Sequence, residues 1–183
     1  MPASIRPARG PGDTFAAGCR SLGPRLMRDL GLTDVQAAGL LGNLGHESGG
    51  FRKLQEVDPV AAGSRGGWGL AQWTGPRRVA MEAWCRAQAR DPASLDAQYR
   101  YLCVELRTTE AAALAALRQA PTLEAATESV CRHFERPGVI ALASRLTWAG
   151  RALASLRDGA DAPPIPESRA GRVRRAHKTG DRS

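Results

Sequence analysis

One glutamate in the chain stands where its sequence neighbours favour acid chemistry. Glu47 follows Leu44 by three residues and Leu40 by seven, so a helix would place it at the carboxyl-terminal end of an apolar face. Partial burial and the negative end of the helix dipole both disfavour an ionised carboxylate at that position. A glutamate that keeps its proton near neutral pH is suited to act as a general acid. Glu47 is therefore the candidate catalytic acid.

The residues that follow Glu47 include side chains suited to binding a sugar. Aromatic rings offer flat apolar faces, and an amide both donates and accepts hydrogen bonds. The candidates are Phe51, Trp68, Gln72 and Trp73, with Glu135 farther along the chain. Packing beneath a loop is the alternative for the aromatic residues. Pairing with Arg132 or Arg136 is the alternative for Glu135.

Three further groups near Glu47 are weaker candidates. The loop acids Glu56 and Asp58 could each supply a second carboxylate, although either could equally be a solvated loop residue. We take Asp58 as the second catalytic candidate. His46 would point about 100° away from Glu47 around the helix, so packing is a better expectation for it than catalysis.

Helical patterns before and after this stretch must hold these residues in place. Cap residues, apolar periodicity and proline positions predict seven helices, over about 13–30, 33–47, 76–90, 94–106, 110–119, 121–135 and 141–157. The Gly-rich stretch 51–75 is predicted to be irregular, with a short hairpin from Trp68 to Trp73. The chain thus reads as a mainly α domain over 13–158, between a flexible amino terminus (1–12) and a disordered basic tail (159–183).

The second predicted helix contains three glycines at intervals of three residues, Gly39, Gly42 and Gly45. Three glycines inside a helix cost roughly 3 kcal/mol relative to alanine. A close approach of another helix along that stripe would explain the glycines, and it would make this helix central to the fold.

Three blocks of the sequence carry a resemblance to a known family. They are His46-Glu47-Ser48-Gly49-Gly50-Phe51, then the run from Gly69-Leu70-Ala71-Gln72-Trp73 to Arg78, and Phe134-Glu135-Arg136-Pro137-Gly138. In this order and spacing they resemble the lysozyme-like superfamily, which includes goose-type lysozymes and soluble lytic transglycosylases. The similarity is closest to the phage tail lysozymes and extends over about Leu30 to Leu153.

The resemblance implies a lysozyme-like helical fold with a loop at the active-site cleft. It implies a peptidoglycan glycosidase that cleaves the β-1,4 bond between N-acetylmuramic acid and N-acetylglucosamine, with Glu47 as the acid and with Ser48 and Gln72 beside the substrate. Phe134-Glu135 stands where transglycosylases usually have Tyr-Asn. A hydrolase needs a second carboxylate to activate water, whereas a lytic transglycosylase can use one glutamate as acid and then base. We favour the hydrolase and keep the transglycosylase as the alternative.

Charge and composition limit the possible partners. The formal net charge is +8, of which +4 lies between Pro163 and Ser183, so an anionic partner is expected. The bacterial envelope fits better than nucleic acid, because no nucleic-acid-reading motif is present. No signal peptide is visible, so we expect synthesis in the host cytoplasm and action at the wall, as an endolysin or as part of a virion. We expect a monomer without a metal or cofactor, since the cysteine and histidine spacing is not that of a metal site.

Two other function classes remain open at this point. A cysteine amidohydrolase acting on peptide stems could pair Cys19 with His46, or Cys131 with His133. A non-catalytic wall- or DNA-binding protein could depend on the basic tail alone. Four cysteines without C-x-x-C spacing are better explained as buried, reduced thiols.

Overall fold

The computed structural model describes residues 13–53, 55–56 and 65–160, so Asp58, residues 1–12 and residues 161–183 lie outside the described residues. The last helix ends at Ala160, two residues inside the tail that was predicted to begin at 159. Seven α-helices account for most of this part of the chain, and the mainly α prediction is confirmed. They are α1 (Thr14–Leu30), α2 (Asp34–Glu47), α3 (Gly75–Ala87), α4 (Leu95–Arg107), α5 (Ala111–Gln119), α6 (Leu123–Val130) and α7 (Leu142–Ala160).

The end of α1 and the start of α2 are determined by local interactions that the sequence predicts. Gly31 ends α1 in the left-handed conformation, with φ of +61°. The predicted capping box at the start of α2 is present. Thr33 Oγ1 accepts a hydrogen bond from the Gln36 backbone, and the Gln36 side chain accepts one from the Thr33 backbone. Such reciprocal caps satisfy backbone donors that a helix start leaves unpaired.

Helix α2 is enclosed by other helices, as its glycines predicted, but the three glycines do not share one stripe. A β-carbon on Gly39 would lie 2.9 Å from the Thr127 backbone nitrogen in α6. One on Gly42 would lie 2.5 Å from the Ala149 nitrogen in α7, and one on Gly45 would lie 2.4 Å from the Phe15 ring in α1. Residues three apart rotate by about 60° around a helix, so each glycine meets a different neighbour.

The region between α6 and α7 departs from the expectation of one continuous helix. Helix α6 stops at Val130, and a π-helical turn, Cys131–Glu135, replaces its predicted final turn. Arg136 then adopts the left-handed conformation just before Pro137. Such π turns are uncommon and occur often at functional sites. Across the described ranges, no helix combines the length and the apolar character that crossing a membrane would require.

Candidate active site

Glu47 is the last residue of α2, and the chain turns sharply away behind it. Ser48 makes this turn possible, because its hydroxyl donates to the Leu44 carbonyl at 2.7 Å and accepts from the Phe51 nitrogen at 2.9 Å. Phe51 itself has a φ of +65°. Ser48 is fully buried, so in this structure it shapes the turn rather than presenting its hydroxyl to solvent.

The carboxylate of Glu47 is held by an arginine that the sequence did not single out. Arg145 of α7 donates to Glu47 Oε1 at 2.5 Å. Its side chain is 1% exposed, whereas that of Glu47 is 23% exposed. Arg145 also donates to Asn43 Oδ1 at 2.9 Å, and the Asn43 amide donates to the Thr127 carbonyl at 3.0 Å. This chain of contacts fixes one oxygen of Glu47 and leaves the rest of the carboxylate at the surface.

A second carboxyl group lies near the first, at the end of the π-helical turn. Glu135 Oε1 is buried and has no hydrogen-bond partner among the described residues. Burial, and next the negative charge of Glu47, raise the pKa of Glu135 to about 8, against a lowering by the cations Arg77 and Arg145. Glu135 therefore retains its proton near neutral pH.

The alternative considered for Glu135, an ion pair with Arg132 or Arg136, is wrong. Arg132 pairs with Glu128 at 2.7 Å, and Arg136 pairs with Glu110 at 2.8 Å. Glu135 ends the π-helical turn outside both of these pairs, and the charges of Glu47, Arg77 and Arg145 act on its carboxyl group. Glu135 is thus a buried acid near Glu47 and not an exposed side chain, and its role in binding a sugar stays a prediction.

The segment from Gly67 to Trp73 forms a tight loop fastened to the turn behind Glu47. Trp68 pairs with Gln55 and with Trp73 in two antiparallel bridges, which is the short hairpin that the sequence predicted. Gln72 has a φ of +45°, and its amide donates to the Gly69 carbonyl at 2.7 Å and to the Lys53 carbonyl at 3.2 Å. Gln72 thus ties this loop to the residues that follow Glu47, which leaves less of its amide for a sugar.

The two tryptophans of this loop differ in exposure. Trp73 is fully buried, and its indole nitrogen donates to Glu105 Oε2 at 2.8 Å, so in this structure it has no face for a sugar. Trp68 is half-buried beneath the Arg78 guanidinium, which lies 5.2 Å from its ring centre. Trp68 is therefore the loop tryptophan with some surface left for a ligand.

Phe51 packs into the molecule more than it faces outward. Its ring centre lies 4.8 Å from that of Phe15, and its edge fills the space beside Gly18. Phe15 in turn meets Trp148 edge-on at 4.7 Å. The half-buried Phe51 thus anchors the turn after α2 to α1, and only its remaining exposed edge is available to substrate.

Of the two loop acids considered as a second carboxylate, only Glu56 lies within the described residues. Its Oε2 accepts a hydrogen bond from the Gly67 nitrogen at 2.8 Å, and its own nitrogen donates to the Gly67 carbonyl at 2.9 Å. Glu56 therefore closes the base of the loop. Asp58, the second catalytic candidate, belongs to the stretch that the structure does not describe and stays a prediction.

The contacts of the cysteines and of His46 do not favour thiol catalysis. All four cysteines are buried and free. Burial raises the pKa of Cys19 to about 12 and raises that of Cys131, whereas a nucleophilic thiol needs a lowered pKa. His46 Nδ1 lies 3.0 Å from Ser144 Oγ, and burial lowers its pKa. His46 thus packs against α7, as expected.

A helical domain whose enclosed central helix ends in a partly exposed glutamate, beside a second buried acid, is of the lysozyme-like class. The family model described as phage tail lysozyme matches residues 24–156. The chain therefore belongs to the phage tail lysozyme family, whose members degrade peptidoglycan. A search of curated proteins found no significant match.

Proposed function

We propose that this protein is a glycosidase that cleaves the β-1,4 bond between N-acetylmuramic acid and N-acetylglucosamine, with Glu47 as the general acid. One observation carries the proposal. A partly exposed carboxylate at the end of the central helix has one oxygen fixed by the buried Arg145 and a protonated neighbour in Glu135. Family membership supports the substrate.

The reaction needs a proton for the leaving oxygen while positive charge develops on the sugar. Arg145 occupies Oε1 of Glu47, so we assign proton delivery to Oε2. Glu47 must hold the catalytic proton when the glycosidic bond breaks, and the neighbouring Glu135, whose raised pKa keeps it protonated at neutral pH, adds no second negative charge there. Once Glu47 has given up its proton, its negative charge next to the reaction centre stabilises the sugar cation.

The product of the reaction depends on whether the attacking group is an activated water molecule or a hydroxyl of the sugar itself. In a hydrolase that inverts the sugar, a second carboxylate about 6.5–9.5 Å from the acid serves as the base. We propose Asp58 for this role, since the loop that contains it follows Glu47 directly. The alternative is a lytic transglycosylase, in which the 6-hydroxyl of the muramic acid attacks and Glu47 acts first as acid and then as base. Glu135 suits neither role as base, because it is buried and protonated.

The first experiment compares two glutamate-to-glutamine variants on purified peptidoglycan. Glu47→Gln should lower the rate of wall clearing at least about 100-fold with the fold intact, because general-acid catalysis contributes about 10²–10⁴-fold. Glu128→Gln makes the same chemical change at a 44% exposed side chain on α6 and should clear the wall at the wild-type rate. Clearing by Glu47→Gln at more than a tenth of the wild-type rate would exclude Glu47 as the acid.

The second experiment identifies the products. Mass spectrometry of released muropeptides should show reducing muramic acid ends if water attacks. Anhydro-muramic ends would replace the hydrolase proposal with the transglycosylase. Asp58→Asn should abolish the release of reducing ends, and full activity in that variant would remove Asp58 from the mechanism.

We further propose that the protein acts at the bacterial cell wall after synthesis in the host, as an endolysin or as part of a virion. The predicted basic segment from Pro163 to Ser183 would hold it near the anionic envelope. Deleting this segment should weaken wall binding most at low salt, where electrostatic attraction is least screened.

A further inference from the structure

A basic cavity lies on the side of the domain away from Glu47. It has a volume of about 380 Å³ and is lined by parts of α1, of α4 and of the chain from the end of α3 to Arg90. It adjoins the last turn of α1, near the beginning of α2, whereas Glu47 ends α2. Since α2 has 14 residues at about 1.5 Å each, the cavity and Glu47 are separated by roughly 20 Å.

Five guanidinium groups line this cavity, those of Arg25, Arg28, Arg90, Arg100 and Arg107. Like charges gathered in one concave surface repel each other, and the low-dielectric walls focus their field. Such a cluster needs counter-charges. The number of carboxylates that contact the arginines therefore shows how much positive charge is left for an anionic ligand to balance.

Two carboxylates meet these five arginines. Asp96 accepts from Arg25 at 2.7 Å, from Arg90 at 3.1 Å and from Arg100 at 2.7 Å. Its hydrogen bond from Arg100, and next that from Arg25, lower the pKa of Asp96. One ionised carboxylate is thus shared by three cations.

Asp29 contacts the other two cations, one through its carboxylate and the other through its backbone carbonyl. Its carboxylate accepts from Arg28 at 2.8 Å and from the Tyr99 hydroxyl at 2.6 Å, and Arg107 donates to its backbone carbonyl. Five positive charges therefore face two negative ones, which leaves an excess of three. The sequence segments 1–12 and 161–183, outside the described residues, carry more arginine and lysine than acid and do not supply the missing charge.

The directions of the arginines favour a phosphate over a carboxylate. The guanidinium groups come from α1, from the chain after α3 and from α4, so they approach the cavity from several sides. A tetrahedral phosphate accepts charge-assisted hydrogen bonds in all directions, whereas a carboxylate accepts them mainly in its plane.

The shape of the cavity favours a polymer over a membrane surface. The site is recessed, and the large exposed hydrophobic residues of the described chain, Val79, Leu95, Val139 and Ile140, do not line it. Membrane-surface binding usually combines positive charge with apolar side chains that enter the lipid. A recess without them suits a phosphate group that projects from a hydrophilic chain.

We propose that this cavity binds phosphate groups of a phosphodiester-linked polyol, an anionic class of polymer found at bacterial cell walls. The phosphate bridges arginines of α1 and α4, and each phosphodiester group offsets one of the three excess positive charges. That the phosphate comes from the wall rests on the proposed function, while phosphate binding itself does not.

The test is a titration of the full chain with a soluble poly(glycerol phosphate), followed by isothermal calorimetry. The pocket variant is Arg28→Gln/Arg100→Gln, in which the side chains are 67% and 49% exposed, so the fold should tolerate the change. The control is Arg20→Gln/Arg157→Gln, which removes the same charge from exposed sites elsewhere on α1 and α7. We expect binding at least tenfold weaker in the pocket variant and less than twofold weaker in the control.

Three outcomes would overturn the proposal. Equal weakening in both double variants would mean that only net charge matters. No binding by the wild type at low ionic strength would remove the site. Vesicles of phosphatidylglycerol that bind through the same arginines when the soluble polymer does not would assign the cavity to a membrane instead. Glu47→Gln should bind the polymer like the wild type, so failure of the catalytic proposal would leave this result unaffected.

Discussion

Replacing Glu135 by glutamine should change how the stability of the protein depends on pH. The variant keeps the shape of the side chain but has no titrating carboxyl group. In the wild type, burial and the charge of Glu47 raise the pKa of Glu135 from 4.5 to about 8. Between these two pH values the folded protein holds a proton that the unfolded chain has already released.

The sign and size of the effect follow from this difference in bound protons. Because the folded state binds more protons in that window, the free energy of unfolding falls as pH rises, by up to about 1.4 kcal/mol per pH unit. Between pH 5 and pH 7 the wild type should therefore lose about 2–3 kcal/mol relative to Glu135→Gln. Below about pH 4.5 the folded and the unfolded wild type both hold this proton, so the pH dependence ends and the stability relative to the variant is at its maximum.

Urea unfolding followed by circular dichroism at half-unit pH steps measures the effect. The quantity to plot is the difference in unfolding free energy between wild type and variant, since other titrating groups cancel in it. Glu128→Gln, which removes an exposed carboxylate from α6, is the control and should give a nearly flat difference. A difference for Glu135→Gln that changes by less than about 0.5 kcal/mol from pH 5 to pH 7 would refute the argument that Glu135 stays protonated.

Two further substitutions test how α2 is held. Gly42→Ala should lower the free energy of unfolding by about 2–3 kcal/mol, since its β-carbon would lie 2.5 Å from a backbone nitrogen of α7. Gly150 faces open space, so Gly150→Ala should raise the free energy of unfolding by about 0.5–1 kcal/mol. Urea unfolding of the two variants measures both changes. Arg145→Met should lower the free energy of unfolding by about 2–3 kcal/mol, less than the loss of a fully buried pair, because Glu47 is partly exposed. The variant should also clear the wall more slowly. If Arg145→Met lowers the free energy of unfolding equally in a Glu47→Gln background, the ion pair is not the source of the loss.

The helices were predictable because interactions between residues close together in sequence determine where each helix begins and ends. Thr33 and Gln36 form the capping box that their spacing predicted, and Gly31 stops α1 as expected. The close packing around α2 was also predictable from the cost of its glycines. Their distribution over three neighbours was not, because spacing along one helix does not tell which elements surround it.

The candidate site was predictable only in part, since its contacts join residues far apart in sequence. Glu47 and Glu135 came from local motifs and are near each other in the structure. Arg145 gave no signal, because an arginine in an amphipathic helix normally faces solvent. Trp73 was misleading in a different way. A tryptophan in a loop suggests a surface on which a sugar can stack, but the Trp73 indole is buried and donates a hydrogen bond to Glu105, a contact that the sequence does not show.

The ion pair between Glu47 and Arg145 joins residues 98 positions apart, and this separation has a consequence for biosynthesis. During translation α2 leaves the ribosome long before α7 does. Until α7 packs against α2, the glutamate lacks its guanidinium partner and the surface around Gly42 is uncovered. A nascent or truncated chain that ends before α7 should therefore be unable to assemble the candidate site.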